Sequence, residues 1–280
     1  MNQYDDLVTV DVKPQQGAIK AHQSSKLAIA FGGGAARGMM HLGVIKALEE
    51  QGVEADIVTG TSVGSIAAVL YATHDYEQIA EILYEFSEHQ IVDLNLSNKG
   101  LIKGQALARW VNQHTGNRNL SELPVTTGIV ATNLSQQKAV MFVDGNVGEA
   151  VQTSSSVPGV FVPIYHHDDI LVDGGVLSLV PVYGARQLGA DIVIGVDVFC
   201  SAPPPLKYKA ANTVANSFWI QSCIATKDEI ETADIVVELN PIEPSLIEFG
   251  HLEEREQAMQ IGYDAMMAAM PELLALIEQK

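Results

Sequence analysis

The stretch with the most definite chemistry is Gly60-Thr61-Ser62-Val63-Gly64. It has the form G-x-S-x-G and sits between an apolar strand-like run, 57–61, and a helix-like run, 62–72. A strand that turns sharply into a helix lifts a serine hydroxyl clear of the backbone, and flanking glycines let the two elements close around it. The helix N-terminus then favours negative charge developing nearby. Such a serine attacks acyl carbons. The same residues also suit a plain strand–helix turn with Ser62 as its cap.

A second group is Gly32-Gly33-Gly34-Ala35-Ala36-Arg37-Gly38. Glycines here turn backbone N–H groups toward one point at the start of a helix, which describes an anion site. The anion is either a phosphate or the oxyanion of acyl transfer. A phosphate loop ends in Gly-Lys-Ser/Thr, whereas Arg37-Gly38-Met39 stands here. A dinucleotide fingerprint needs glycine where Arg37 lies, so Gly32, Gly34 and Gly38 fit only a looser variant. A tight strand–helix connection without a ligand is the third reading.

A nucleophilic serine needs a base. Asp173-Gly174-Gly175 follows the apolar run 170–172, and the separation of 111 positions between Ser62 and Asp173 is no obstacle, because strand ends converge in space. A carboxylate with a reference pKa of about 4 is a weak base, so its proton must arrive as the Ser–carbon bond forms. The alternative for Asp173 is a turn residue. Among histidines, His41 reads as packing, and His166-His167-Asp168-Asp169 as a polar turn rather than a metal cluster. His251 has no motif around it. A Ser–Asp dyad is favoured over a triad.

These residues need elements to hold them. The run 26–31 reads as a buried strand, 39–51 as a helix stopped by Gly52, then 57–61 as a strand and 62–72 as a helix. This β-loop-α-β-turn-α order makes the sheet at least partly parallel and brings both loops to one carboxyl edge. Helices are expected over 76–87 and 104–114. Strands are expected over 126–131 and 138–143, flanking a hairpin turn at 132–137. Later come a helix from Pro181, a strand at 191–198, the Pro203-Pro204-Pro205 loop, a helix at 212–226 and a strand at 234–239. An amphipathic helix at 253–270 and a last short helix opened by Pro271 finish the chain. Residues 1–25 read as a polar tail, and 26–280 as a single domain.

Composition excludes several classes. The chain has 280 residues, 47% hydrophobic and 18% charged, with mean hydropathy +0.13, so whole-chain disorder is excluded. Sixteen Lys and Arg against 34 Asp and Glu give a net charge of −18, which argues against nucleic-acid binding. Two cysteines, Cys200 and Cys223, are too few for a disulfide scaffold and have no metal-type spacing. No export signal or membrane span is visible, and the default compartment is the cytoplasm.

Taken together, the motifs resemble the patatin-like phospholipase family, in particular its small bacterial members. Gly32 to Gly38 is similar to the family's glycine-rich oxyanion motif, Gly60 to Gly64 to its nucleophile elbow, and Asp173-Gly174-Gly175 to its Asp-Gly-Gly/Ala motif. The stretch Ser154-Ser155-Ser156-Val157-Pro158-Gly159-Val160-Phe161 also resembles a family segment. The resemblance implies a three-layer α/β/α sandwich with a mostly parallel central sheet. It implies Ser62 as nucleophile, Asp173 as base, an oxyanion hole from Gly32, Gly33 and Gly34, and Arg37 supporting the loop or meeting a lipid phosphate. The substrates implied are fatty-acyl esters of phospholipids or lysophospholipids, met at a membrane surface or micelle, with no metal or organic cofactor. Two departures stand out: Ser178-Leu179, where the bacterial members often carry paired asparagines, and Asn133, where Asp is frequent. Two rival readings are a nucleotide-binding oxidoreductase using the glycine loop and a non-catalytic binding protein on the same fold.

Overall fold

The computed structural model describes residues 3–14, 25–95, 100–201, 210–238 and 252–279. Pro203-Pro204-Pro205 and His251 lie outside them. Among the described residues nine strands form one sheet. They are β1 (Val8–Asp11), β2 (Leu27–Phe31), β3 (Ile57–Thr61), β4 (Thr126–Asn133), β5 (Lys138–Asp144), β6 (Ile164–His166), β7 (Asp169–Asp173), β8 (Ile192–Asp197) and β9 (Ile235–Glu238). The helices are α1 (Met39–Glu50), α2 (Val63–Tyr71), α3 (Tyr76–Glu85), α4 (Gln105–Thr115), α5 (Val147–Ser154), α6 (Val182–Gln187), α7 (Ala210–Ile230) and α8 (Leu252–Gln279).

The main path of the sheet runs β1-β5-β4-β3-β2-β8-β9. From β4 to β9 all neighbours are parallel. The pairs β1–β5 and β4–β5 are antiparallel, as is the β6–β7 hairpin that joins β4. A mostly parallel centre with an antiparallel margin is the result.

Side-chain alternation builds the layers. On β2, Leu27, Ile29 and Phe31 enter a large core shared with α1, α2 and α8. Ala28 and Ala30 face the other way and pack with Val182 and Ala185 of α6. The period of two in a strand thus gives each face its own helical layer. The fold is a mixed α/β sandwich. Among the described residues no helix is long and apolar enough to cross a membrane.

Two departures from the sequence reading lie in the first and last described segments. Within the expected tail, residues 8–11 form β1 at the sheet margin. Burial explains the order. Leu7 and Tyr4 are buried, the Tyr4 hydroxyl donates to Gln152 Oε1 (3.1 Å), and His166 Nε2 donates to the Leu7 carbonyl (2.9 Å). Lys138 Nζ also pairs with Asp11 at 2.6 Å. Second, Pro271 lies inside a continuous α8 instead of opening a new helix. Proline removes one helical N–H, but Met266, Met270 and Leu273 on both sides of it are buried in the main core, and that packing carries the helix through.

Candidate active site

Ser62 stands between β3 and α2 at φ 54, ψ −126. A non-glycine residue at positive φ outside the left-handed helical region is strained, by on the order of 1–3 kcal/mol. The surroundings enforce it. A side chain at Gly64 would collide with the Phe31 and Gly32 carbonyls, and one at Gly60 with the Gly64 backbone. The Ser62 N–H donates to Ser154 Oγ (2.9 Å), which donates in turn to the Val130 carbonyl (2.6 Å). Ser65 Oγ donates to the Ser62 carbonyl at 2.5 Å. The elbow is therefore clamped from both sides, partly by a serine of the stretch singled out before Asp173.

Asp173 is brought to Ser62 by the sheet. Strand β3 runs along the first half of one edge of β4, where Thr61 pairs with Val130. Strand β7 occupies the rest of that edge in the opposite direction, where Asp173 pairs with Ala131. The two strands end head to head. Asp173 is fully buried. Its Oδ1 accepts from the Gly175 N–H at 2.7 Å, while Oδ2 has no hydrogen-bond partner among the described residues. Burial pushes the carboxyl up to about 7, against the lowering effects of the Gly175 N–H and the Ser62 hydroxyl. The hydroxyl thus faces the carboxylate without a hydrogen bond of full length and angle, a common state before substrate tightens such contacts.

The glycine loop departs from its expected role at two of three positions. The Gly32 N–H donates to the Val196 carbonyl (3.0 Å) and the Gly33 N–H to the Leu179 carbonyl (2.9 Å). Both are committed to holding the loop against its neighbours. Gly34 makes no such bond among the described residues. The loop still lies against the elbow, since a Cβ at Gly33 would come within 3.3 Å of Ser62 Cβ.

Arg37 is 1% exposed. Its Nη1 donates to the carbonyls of Val198 (3.0 Å) and Phe199 (3.4 Å), and its guanidinium lies 5.1 Å from the Phe199 ring centroid. Burial pushes its pKa down and Asp197 partly opposes this. Of the two roles the family resemblance implies, the position fits loop support. Asp197 accepts the N–H groups of Phe199, Cys200 and Ser201, and a Cys200–Cys223 disulfide ties this turn to α7. Two cysteines make no scaffold, but these two form one cross-link. Such a bond is at odds with a reducing cytoplasm.

Ser62 is 5% exposed and opens into a cavity of about 220 Å³. The lining is apolar, with Leu83 from α3, Phe86 just after it, Leu107 and Trp110 from α4, and Phe161 among its members. Its polar side chains are Ser62, Ser155 and Arg255. Arg255 Nη1 donates to the Leu83 and Tyr84 carbonyls, and Ser155 Oγ is buried without a partner among the described residues.

The remaining candidates are structural. His41 is fully buried, donates from Nε2 to the Gly32 carbonyl (2.8 Å), and is pushed down to about 4 by burial, so it is neutral at pH 7. His166 and Asp169 end the β6–β7 hairpin, and no metal-type cluster of acidic, His and Cys side chains occurs among the described residues. Asn133 Nδ2 donates to Asp169 Oδ2 (2.8 Å); an Asp there would face a like charge. The carbonyls of Ser178 and Leu179 accept from Thr61 Oγ1 and Gly33 N–H, so that departure from the bacterial pattern forms the back of the elbow.

Fold and site geometry define a mixed α/β protein with a strained serine elbow at the carboxyl edge of a parallel sheet. The chain belongs to the patatin-like phospholipase family, whose model matches residues 29–186, more than half its length. It is 28% identical over 209 residues to an uncharacterized NTE family protein of Mycobacterium tuberculosis, covering 74% of this chain and 58% of that protein. It is 30% identical over 177 residues to Lysophospholipase NTE1 of Chaetomium globosum, covering 61% of this chain and 12% of that one. The chain thus spans little over half of the mycobacterial relative and about an eighth of the fungal one. The crystal structure of the type III effector protein ExoU has a similar fold, with TM-score 0.51 and 15% identity over 97% of this chain and 56% of that one.

Proposed function

We propose that this protein is a serine acyl hydrolase that cleaves fatty-acyl esters of phospholipids or lysophospholipids, with Ser62 as nucleophile and Asp173 as base. The observation that carries this reading is the strained Ser62, facing a buried carboxylate of pKa about 7 and opening into an apolar cavity. Burial answers the objection that Asp is too weak a base, because a pKa near the working pH is what proton transfer at neutrality requires. Family membership and the lysophospholipase among the relatives support the lipid substrate.

Ser62 Oγ bonds to the ester carbonyl carbon as its proton passes to Asp173 Oδ2, the carboxylate oxygen without a hydrogen-bond partner among the described residues. The carbonyl oxygen becomes an oxyanion. The donors nearest in kind are the Gly34 N–H and the Val63 N–H, the latter among the first N–H groups of α2 that have no helical partner. Collapse breaks the ester C–O bond, and the departing alkoxide takes the proton from Asp173. Water then repeats the sequence on the acyl-Ser62 ester, giving a fatty acid and free Ser62. No step involves a metal or organic cofactor.

The test is fatty-acid release from lysophosphatidylcholine by wild type, Ser62→Ala and Asp173→Asn, each checked for native circular dichroism. Release by wild type and loss of at least a thousandfold in both variants is the expected result. Equal release by wild type and Ser62→Ala contradicts the reading.

A further inference from the structure

The cavity beside Ser62 has a graded wall. Ile91, Val157, Phe161 and Arg255 are partly exposed and form its rim, whereas Leu107, Trp110 and Phe86 are buried. Trp110 is held by two ring contacts. Its ring meets Phe86 edge-on at 5.2 Å between centroids and lies 4.7 Å from the His114 ring. The charge on Arg255 is turned onto the Leu83 and Tyr84 carbonyls, so the wall offers a substrate chain little besides apolar surface. An apolar cavity of about 150 Å³ is filled by a six-carbon ring. On that scale about 220 Å³ takes roughly nine carbons of a chain.

We propose that this cavity selects medium-length acyl chains, about eight to ten carbons by that volume scale, and that Trp110 sets the limit. The inference rests on Ser62 being the acyl-accepting nucleophile. A chain whose carbonyl sits at Ser62 enters the apolar cavity, whose buried lining includes Phe86, Leu107 and Trp110. Each methylene buried there strengthens binding roughly fourfold. Carbons beyond the limit meet the Trp110 ring or must leave past the rim, and gain nothing.

The experiment is kcat/KM for p-nitrophenyl esters of four to sixteen carbons at one fixed detergent concentration. For wild type the expected profile rises with each carbon and breaks near eight to ten carbons. Trp110→Ala and the milder Trp110→Leu move the break to longer chains, and Ile66→Phe, which adds bulk to the lining, moves it to shorter ones. Trp110→Leu and Ile66→Phe decide the matter if Trp110→Ala does not fold. A wild-type profile that climbs unbroken to sixteen carbons overturns the inference, as does a break that stays in place in all variants. In both cases abolition by Ser62→Ala leaves the acyl-hydrolase reading standing. Absence of turnover on every ester, with no difference between wild type and Ser62→Ala, overturns that reading and this inference with it.

Discussion

Thr61, the residue before Ser62, and Asp173 pair with consecutive residues on one edge of β4: Thr61 with Val130 and Asp173 with Ala131. Strands β3 and β7 meet there end to end from opposite directions. The proposed nucleophile and base therefore converge through backbone hydrogen bonds to a third strand, not through a bond between their side chains. Their separation is set by the sheet, which is rigid, and the Ser62–Asp173 contact stays free to tighten on substrate.

The positive φ of Ser62 is a cost that glycine does not bear. Ser62→Gly and Ser62→Ala both remove the hydroxyl, and both are expected to be inactive. Only glycine relaxes the backbone, so Ser62→Gly should be more stable than Ser62→Ala by about 1 kcal/mol. Urea unfolding of the pair measures this. Equal stabilities would mean the elbow is not strained.

Asp173 and Glu229 are both buried carboxyls pushed up to about 7 by desolvation. Unfolded, they titrate near 4. Between about pH 4 and pH 7 the folded state therefore holds more protons, and stability falls as pH rises through that window. The loss for Asp173 is on the order of 4 kcal/mol. Asp173→Asn should flatten the fall and be more stable than wild type at pH 8. Activity runs the other way, because the base must be ionised: kcat/KM should rise with pH through about 7. Glu229→Gln should flatten part of the stability curve and leave the kinetic rise in place. A kinetic rise that vanishes in Glu229→Gln would assign it to the wrong carboxyl.

Arg37→Met tests whether that residue supports the loop or binds a phosphate. The substitution leaves the Val198 and Phe199 carbonyls without their charged donor. A cost of about 3 kcal/mol is expected, together with equal fractional loss of activity on a phospholipid and on a neutral ester. A rise in KM confined to the phospholipid, at unchanged stability, would make Arg37 a phosphate ligand.

The Cys200–Cys223 bond closes a loop 23 residues long, worth roughly 3 kcal/mol in chain entropy. Cys200→Ser with Cys223→Ser, or reduction by dithiothreitol, should lower Tm by several degrees. Val198 and Phe199, whose carbonyls anchor Arg37, immediately precede Cys200, so activity should fall at temperatures near the new Tm and be kept well below it. An unchanged Tm would show that the thiols are not joined in solution.

What was legible in the sequence was local. Ser62, its glycines and Asp173 announced themselves by residue type and by their places after apolar runs, and the strands and helices around them followed from periodicity. What was hidden depended on partners far along the chain. The N–H groups of Gly32 and Gly33 are taken by Val196 and Leu179, more than 140 residues away, and no feature of the glycine run says so. For Arg37, loop support and a phosphate contact stay equally open until its carbonyl partners beyond β8 are placed. The head-to-head meeting of β3 and β7 and the edge strand β1 are matters of register between distant segments. The segment between α2 and β4 supplies the buried wall of the cavity through Phe86, Leu107 and Trp110. The helical pattern of 104–114 does not say what that helix encloses.

The most direct test of the account is intact mass after exposure to an alkyl fluorophosphonate, on wild type, Ser62→Ala and Asp173→Asn. The account predicts one adduct on wild type, none on Ser62→Ala, and slow labelling of Asp173→Asn. A folded wild type that takes no adduct, in buffer and with detergent alike, would contradict it, as would labelling that persists in Ser62→Ala.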